Sequence, residues 1–224
     1  EQSRAFLERG EQIQPDSYIW ASELGTLTLR PITVALGIRL AGVSPVRATL
    51  TDEECEREAA IALGHFERAL RLSDPPRRFS LLADIADSAF ISGDIAKAGA
   101  HAEEILHLAS VNTKNRHWRD HVHEAHVLLG RIALRKGDVP LAIRSLEEAG
   151  KVGSPDAPVL RSFGPDFFLA SELLDRGEAA AVLSYLGECE RFWKAGRIVR
   201  WREQMSRGER PRLHAGFDPD ESND

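Results

Sequence analysis

The chain is expected to be all-α, a stack of antiparallel helix pairs, on three observations. Alanine and leucine are abundant beside glutamate and arginine, and long runs of valine, isoleucine and threonine are missing; this is the usage of helix formers, not of a large sheet. Apolar and small residues recur in several stretches at the spacing of a helix with one buried face. The stretches are interrupted by one kind of dipeptide, a glycine followed by an acid, at Gly93-Asp94, Gly137-Asp138 and Gly177-Glu178. Glycine closes a helix in the left-handed conformation at least cost, and aspartate is a good N-cap for the next.

Each pair of helices can be read in turn. Residues 81–109 place Leu82, Ile85, Ala86 and Ala89 before the first break, and Ala98, Ala102 and Ile105 after it. Residues 125–149 place Leu129 and Ala133 before the second, and Ala142, Leu146 and Ala149 after it. Residues 165–193 place Leu169, Ala170 and Leu173 before the third, and Val182, Leu186 and Cys189 after it. Small residues such as Gly130, Ala133 and Ala142 let two helices approach closely, while Leu129 and Leu146 fill the space between them.

The central pair resembles the tetratricopeptide repeat. That pattern runs from an aromatic or large residue through Leu-Gly, a Tyr-like position, Ala, a Phe-like position and Ala to Pro. Here His126 stands first, followed by Leu129-Gly130, Ala133, Ala142, Leu146, Ala149 and Ser154-Pro155. The small residues fit and the aromatic positions depart, so the repeat is degenerate. The turn glycines lie 44 and 40 residues apart, against a repeat length of about 34, so the links are long and the stack irregular. The resemblance implies a right-handed α-solenoid. We expect one helical repeat domain over 1–212, with irregular repeats at 1–75, 79–110, 119–154 and 162–195, a capping helix at 196–207, and an acidic tail at 213–224 expected to be disordered.

The N-terminal quarter reads as the same architecture with an insertion. Residues 6–17 resemble the second helix of a repeat, and Trp20, Leu24, Gly25 and Leu27 the next first helix, with Thr28 at the Tyr-like position. Ala62, Phe66 and Ala69, before Asp74-Pro75, resemble a second helix again. Between them, a stretch with Pro31, Gly37, Gly42 and Pro45 is expected to prolong a helix and then loop. On this reading the chain opens within a repeat, and a further repeat or domain is expected ahead of Glu1. In the link 154–170, Ser154-Pro155 and Ala157-Pro158 disfavour helix, and Pro165 suits the first turn of the helix that follows. Residues 154–193 also look like the C-terminal module of bacterial repeat proteins, which implies a bacterial origin.

Composition narrows the function classes. A net charge of −6 argues against a generic nucleic-acid binder. Cys55 and Cys189 are too few and too far apart for a disulfide framework or a metal set, and they fit a reducing, cytoplasmic compartment. Without a run of about 18 apolar residues, no membrane span is expected. There is no G-x-S-x-G elbow and no glycine-rich phosphate loop, so neither an enzyme nor a cofactor is expected.

Two clusters keep other readings open. His117, His121, His123 and His126 lie close together, and His117 and His121, four apart on one helix face, could ligate a metal. The plainer reading is helix-start polarity with one histidine packed at a repeat position. Residues 191–212 carry eight basic residues against Glu203 and Glu209, interleaved with Trp193 and Trp201. Such a helix could contact nucleic acid; as the cap of a solenoid it would lay its tryptophans over the last core.

The family resemblance also supplies a working surface, because the first helices of such repeats line a concave groove that takes protein segments. Mapped onto this chain, the groove positions are Asp84, Asp87 and Phe90 in one repeat, Glu124, Val127, Arg131 and Arg135 in the next, and Phe167 and Ser171 in the third. They lack the dense Lys/Arg clamp that holds a C-terminal carboxylate. The expected partner is therefore an internal protein or peptide segment, or a folded surface, and the expected role is that of a scaffold or adaptor.

Overall fold

In the computed structural model the described residues are 2–42 and 50–214, and among them there are eleven helices and no strand. In chain order these are α1 (Gln2–Ile13), α2 (Tyr18–Ala41), α3 (Asp52–Leu72), α4 (Pro75–Ile91), α5 (Ile95–Ala109), α6 (Trp118–Arg135), α7 (Val139–Val152), α8 (Pro158–Phe163), α9 (Phe168–Asp175), α10 (Ala179–Cys189) and α11 (Gly196–Ser206). The three expected hinges separate α4 from α5, α6 from α7 and α9 from α10. Gly93, Gly137 and Gly177 have φ of +90°, +80° and +90°. At Gly137 the Asp138 N–H reaches back to the Ala133 carbonyl and the Gly137 N–H to that of Leu134, the double closure of a Schellman turn. The same pair of bonds closes α9 at Gly177. Asp94 and Asp138 then cap the following helices, accepting from the Lys97 and Leu141 amides at 3.1 and 2.9 Å. Glu178 makes no such bond.

The chain divides into two compact units, Glu1–Leu36 with Pro45–Leu108, and Gly37–Ser44 with Ala109–Asp224. In the first, Trp20 of α2 lies over Gly10 of α1, where an added Cβ would stand 2.6 Å from the indole. One turn and a half further along α2, Gly25 meets the Phe66 ring of α3 in the same way, at 2.7 Å. These are the Trp and Leu-Gly positions read from the sequence, and they bring α1, α2 and α3 into contact at residues without bulk. Helix α3 opens on a capping box, with Thr51 and Glu54 exchanging backbone and side-chain bonds at 2.7 and 3.2 Å. Asp74 and Pro75 start α4.

Helix α2 meets α1 at Trp20 and α3 at Gly25, while Ile19 and Val34 on it stay exposed. Serine, glutamate, threonine and arginine interrupt α2, and among the described residues it is the helix long and apolar enough, by length and composition, to cross a membrane. Its buried residues include Ala21, Leu24, Leu29 and Ile32.

In the second unit α6 packs against α7, α7 against α10, and α9 against α6, α7 and α10. Their shared core is built on Leu146, Leu169, Leu173 and Leu186. The link contains a short helix that the prolines hid. Pro158 occupies the first turn of α8, where its missing N–H costs nothing, while Pro165 lies ahead of α9 and not within its first turn. Trp193 and Trp201, before and on α11, are buried in the same core. The tail from 215 onward lies outside the described residues, as does Pro45.

Candidate partner-binding face

The long link between the second and third hinges is held by buried polar side chains on α6. Asp120, 2 % exposed, accepts from the Leu160 amide of α8 at 3.2 Å and bonds His117 Nδ1 at 3.0 Å. His123 is fully buried. Its Nδ1 lies 3.0 Å from the Ala149 carbonyl, and its Nε2 accepts from the Asp166 amide at 3.2 Å. A carbonyl on one side and an N–H on the other leave one arrangement, the neutral ring protonated at Nδ1. The Tyr185 hydroxyl of α10 donates to the Asp166 carbonyl at 2.9 Å. Backbone groups of an irregular segment, which need partners when buried, thus find them on α6 and α10. This is what orients α9.

The histidine that is packed into the core is therefore His123, whereas His126 at the repeat position is only partly buried. His117 and His121 pair with Asp120 and Glu124. Their rings lie 6.4 Å apart, and among the described residues no three His, Cys, Asp or Glu side chains are grouped to hold a metal. Both cysteines are buried, and burial pushes the Cys189 thiol far above its ordinary value.

Burial also lowers the proton affinity of His123, against the pull of the Ala149 carbonyl and of Asp166, Glu124 and Asp120. His126 is lowered by the same cause. Below 6.5 the unfolded chain takes up protons that the folded chain refuses, so stability falls as the pH drops. The slope from His123 approaches about 1.4 kcal/mol per pH unit, with a smaller share from the partly exposed His126. Asp166, raised by burial, acts in the opposite sense closer to 3.8. Urea unfolding at several pH values on the acid side of 6.5 should show this slope, and it should disappear largely in His123→Gln.

The expected groove positions fall in both units. In the first, Asp84 and Asp87 on α4 are half-buried and Phe90 is 3 % exposed. In the second, Val127 and Phe167 are 2 % and 1 % exposed. Phe90, Val127 and Phe167 are thus core residues and not groove walls. The reason is clearest at Phe167, which meets the rings of Tyr185, Trp193 and Trp201, the last at 5.2 Å. Glu124, Arg131 and Ser171 are partly exposed and Arg135 is exposed.

Arg131 joins α6 to α9. Its Nε donates to Glu172 at 2.8 Å and its guanidinium lies 4.8 Å from the Phe168 ring centre. Beside this pair, Leu134, Arg135, Glu172, Asp175 and Arg176 border a cleft of about 420 Å³. Ser171, Leu174 and Asp175 share one face of α9 at helical spacing. The last two were not singled out in the sequence, although their offsets of three and four from Ser171 place them there.

The chain is similar to a tetratricopeptide-repeat protein. It is 32 % identical over 109 residues to human Tetratricopeptide repeat protein 34, a stretch covering 48 % of this chain and 17 % of that protein. No protein-family model matches. The all-helical fold, with helices packed in neighbouring pairs about glycine hinges, fits a helical repeat of this kind.

Proposed function

We propose that the chain is a non-catalytic scaffold or adaptor that binds an internal segment of a partner protein in the concave face of a right-handed tetratricopeptide-like solenoid. The observation that carries this reading is the α6–α9 face. Arg131, Arg135, Glu172 and Asp175 gather both signs of charge beside an open cleft on the first helices of consecutive repeats. A surface of that kind selects a partner by charge complementarity and orients it through a few fixed ion pairs. The similarity to a tetratricopeptide-repeat protein supports the same class.

The test is capture of a partner by the intact chain and by Arg135→Glu, a reversal at an exposed position that leaves the core untouched. With a partner isolated by the intact chain, the reversal should weaken binding by about tenfold or more, the scale of a misplaced charge at an interface. Equal binding by both proteins would remove the α6–α9 face from the function.

A further inference from the structure

The α9 face is covered by the chain itself. Helix α11 closes on Gly208, φ +78°, with the Glu209 N–H returning to the Gln204 carbonyl and the Gly208 N–H to that of Met205. This is the same turn that closes α6 and α9, but no helix follows it among the described residues. The segment 209–214 has no regular secondary structure. Arg210 donates to the Leu174 carbonyl at 3.1 Å and to the Asp175 carboxylate at 2.7 Å. The Ser171 hydroxyl donates to the Leu213 carbonyl at 3.5 Å. Ser171, Leu174 and Asp175 are thus engaged together. Arg212 donates to the Gly42 carbonyl at 2.9 Å.

The form of this contact is that of a bound peptide. One side chain, Leu213, is 1 % exposed and joins the core of the unit. The flanking Arg210 and Arg212 remain exposed and hold on through carbonyls and one carboxylate. A single apolar anchor with polar tethers is how extended segments are read on preformed surfaces, and exposed ion pairs of this sort contribute little. A cleft of about 470 Å³, bordered by Leu40, Ser171, Leu174 and Pro211, lies along the segment. The receiving side offers the Leu174 and Gly42 carbonyls and the Asp175 carboxylate as acceptors, with Arg39 also on the cleft border; acceptors suit arginine, whose fork donates and never accepts.

We propose that this face of α9 is a receptor for an extended basic segment of the type Arg-Pro-Arg-Leu, and that residues 209–214 occupy it as an internal ligand. A partner segment of the same chemistry displaces them. The proposal rests on the α6–α9 face as a partner site and adds both the chemistry of the partner and a control on access. Tethered by the Gly208 turn, the internal segment is present at an effective concentration on the order of millimolar. The affinity of an outside segment is reduced by the fraction of time the face is filled.

The probe is a labelled synthetic peptide of residues 208–214. The full chain carrying Arg210→Ala and Leu213→Ala should bind it at least about tenfold more tightly than the intact chain, the factor expected when a site filled nine times in ten is vacated. Adding Asp175→Arg to that variant, which sets a like charge against the arginines of the probe, should abolish the gain. Equal binding by the intact and loosened chains, with unchanged thermal unfolding, would overturn the proposal. Should the loosened chain fail to fold, hydrogen exchange on the intact chain takes its place. Millimolar peptide should speed exchange of the amides in 209–214, and no change at that concentration would overturn it equally. Failure here alongside a partner still sensitive to Arg135→Glu sinks only the internal ligand. Peptide displacement alongside a partner indifferent to Arg135→Glu sinks only the scaffold reading of the α6–α9 face.

Discussion

Replacing His123 with alanine should destabilise the second unit by about 3–5 kcal/mol, from orphaned polar groups and a cavity together. The imidazole bonds the Ala149 carbonyl and the Asp166 amide, at 3.0 and 3.2 Å, in a place without solvent. Each group left unsatisfied costs about 1–3 kcal/mol. The missing ring also removes packing beside Tyr185, whose ring centre lies 6.3 Å away. Glutamine offers a donor and an acceptor on one side chain and should recover part of the loss, whereas leucine restores volume only. Urea unfolding of the three variants separates these contributions. A loss below about 1 kcal/mol for alanine, the ordinary effect of a single substitution, would mean that water reaches the link and that the network does not hold it.

The second large effect is expected where α2 crosses α3. Gly25→Val should cost about 1–3 kcal/mol, because overpacking in a dense core forces either the ring or the backbone to move. The Phe66 ring is fully buried, and three of its carbons lie within 2.8 Å of the position a Cβ would take. Phe66→Leu alone opens space, and in its background Gly25→Val should cost clearly less. The coupling between the two substitutions is expected to exceed about 1 kcal/mol, beyond the few tenths seen for independent sites. Strict additivity in a double-mutant cycle would show that the two helices do not meet at Gly25.

Much of this fold is legible residue by residue. The hinges at Gly93, Gly137 and Gly177 and the Asp caps after two of them depend on backbone geometry within a few residues. The acids and glycines that satisfy it stand next to the helices they end or begin. Gly25 and Phe66 were each placed on a repeat helix in the same way, whereas their meeting, across 41 residues of chain, was not legible. Other features were hidden. Pro158 starts α8 because a buried Asp120, 40 residues away, accepts from the Leu160 amide. Four neighbouring histidines look alike in the sequence, yet only His123 points at the Ala149 carbonyl and the Asp166 amide. Phe90, Val127 and Phe167 occupy register positions that the family resemblance assigns to the groove, but they are covered. At Phe167 the cover is supplied by Trp193, at the end of the same repeat, and by Trp201 of α11, beyond it.

Helix boundaries and turns were written into the chain because hydrogen bonds of helices and caps join near neighbours. Which face each helix keeps open was not, since burial is conferred by segments distant in the sequence. The covering of α9 by residues 209–214 is the plainest case: nothing local to Ser171 or Asp175 announces that Arg210 and Leu213 will arrive there, and only their meeting in three dimensions makes that face a filled site.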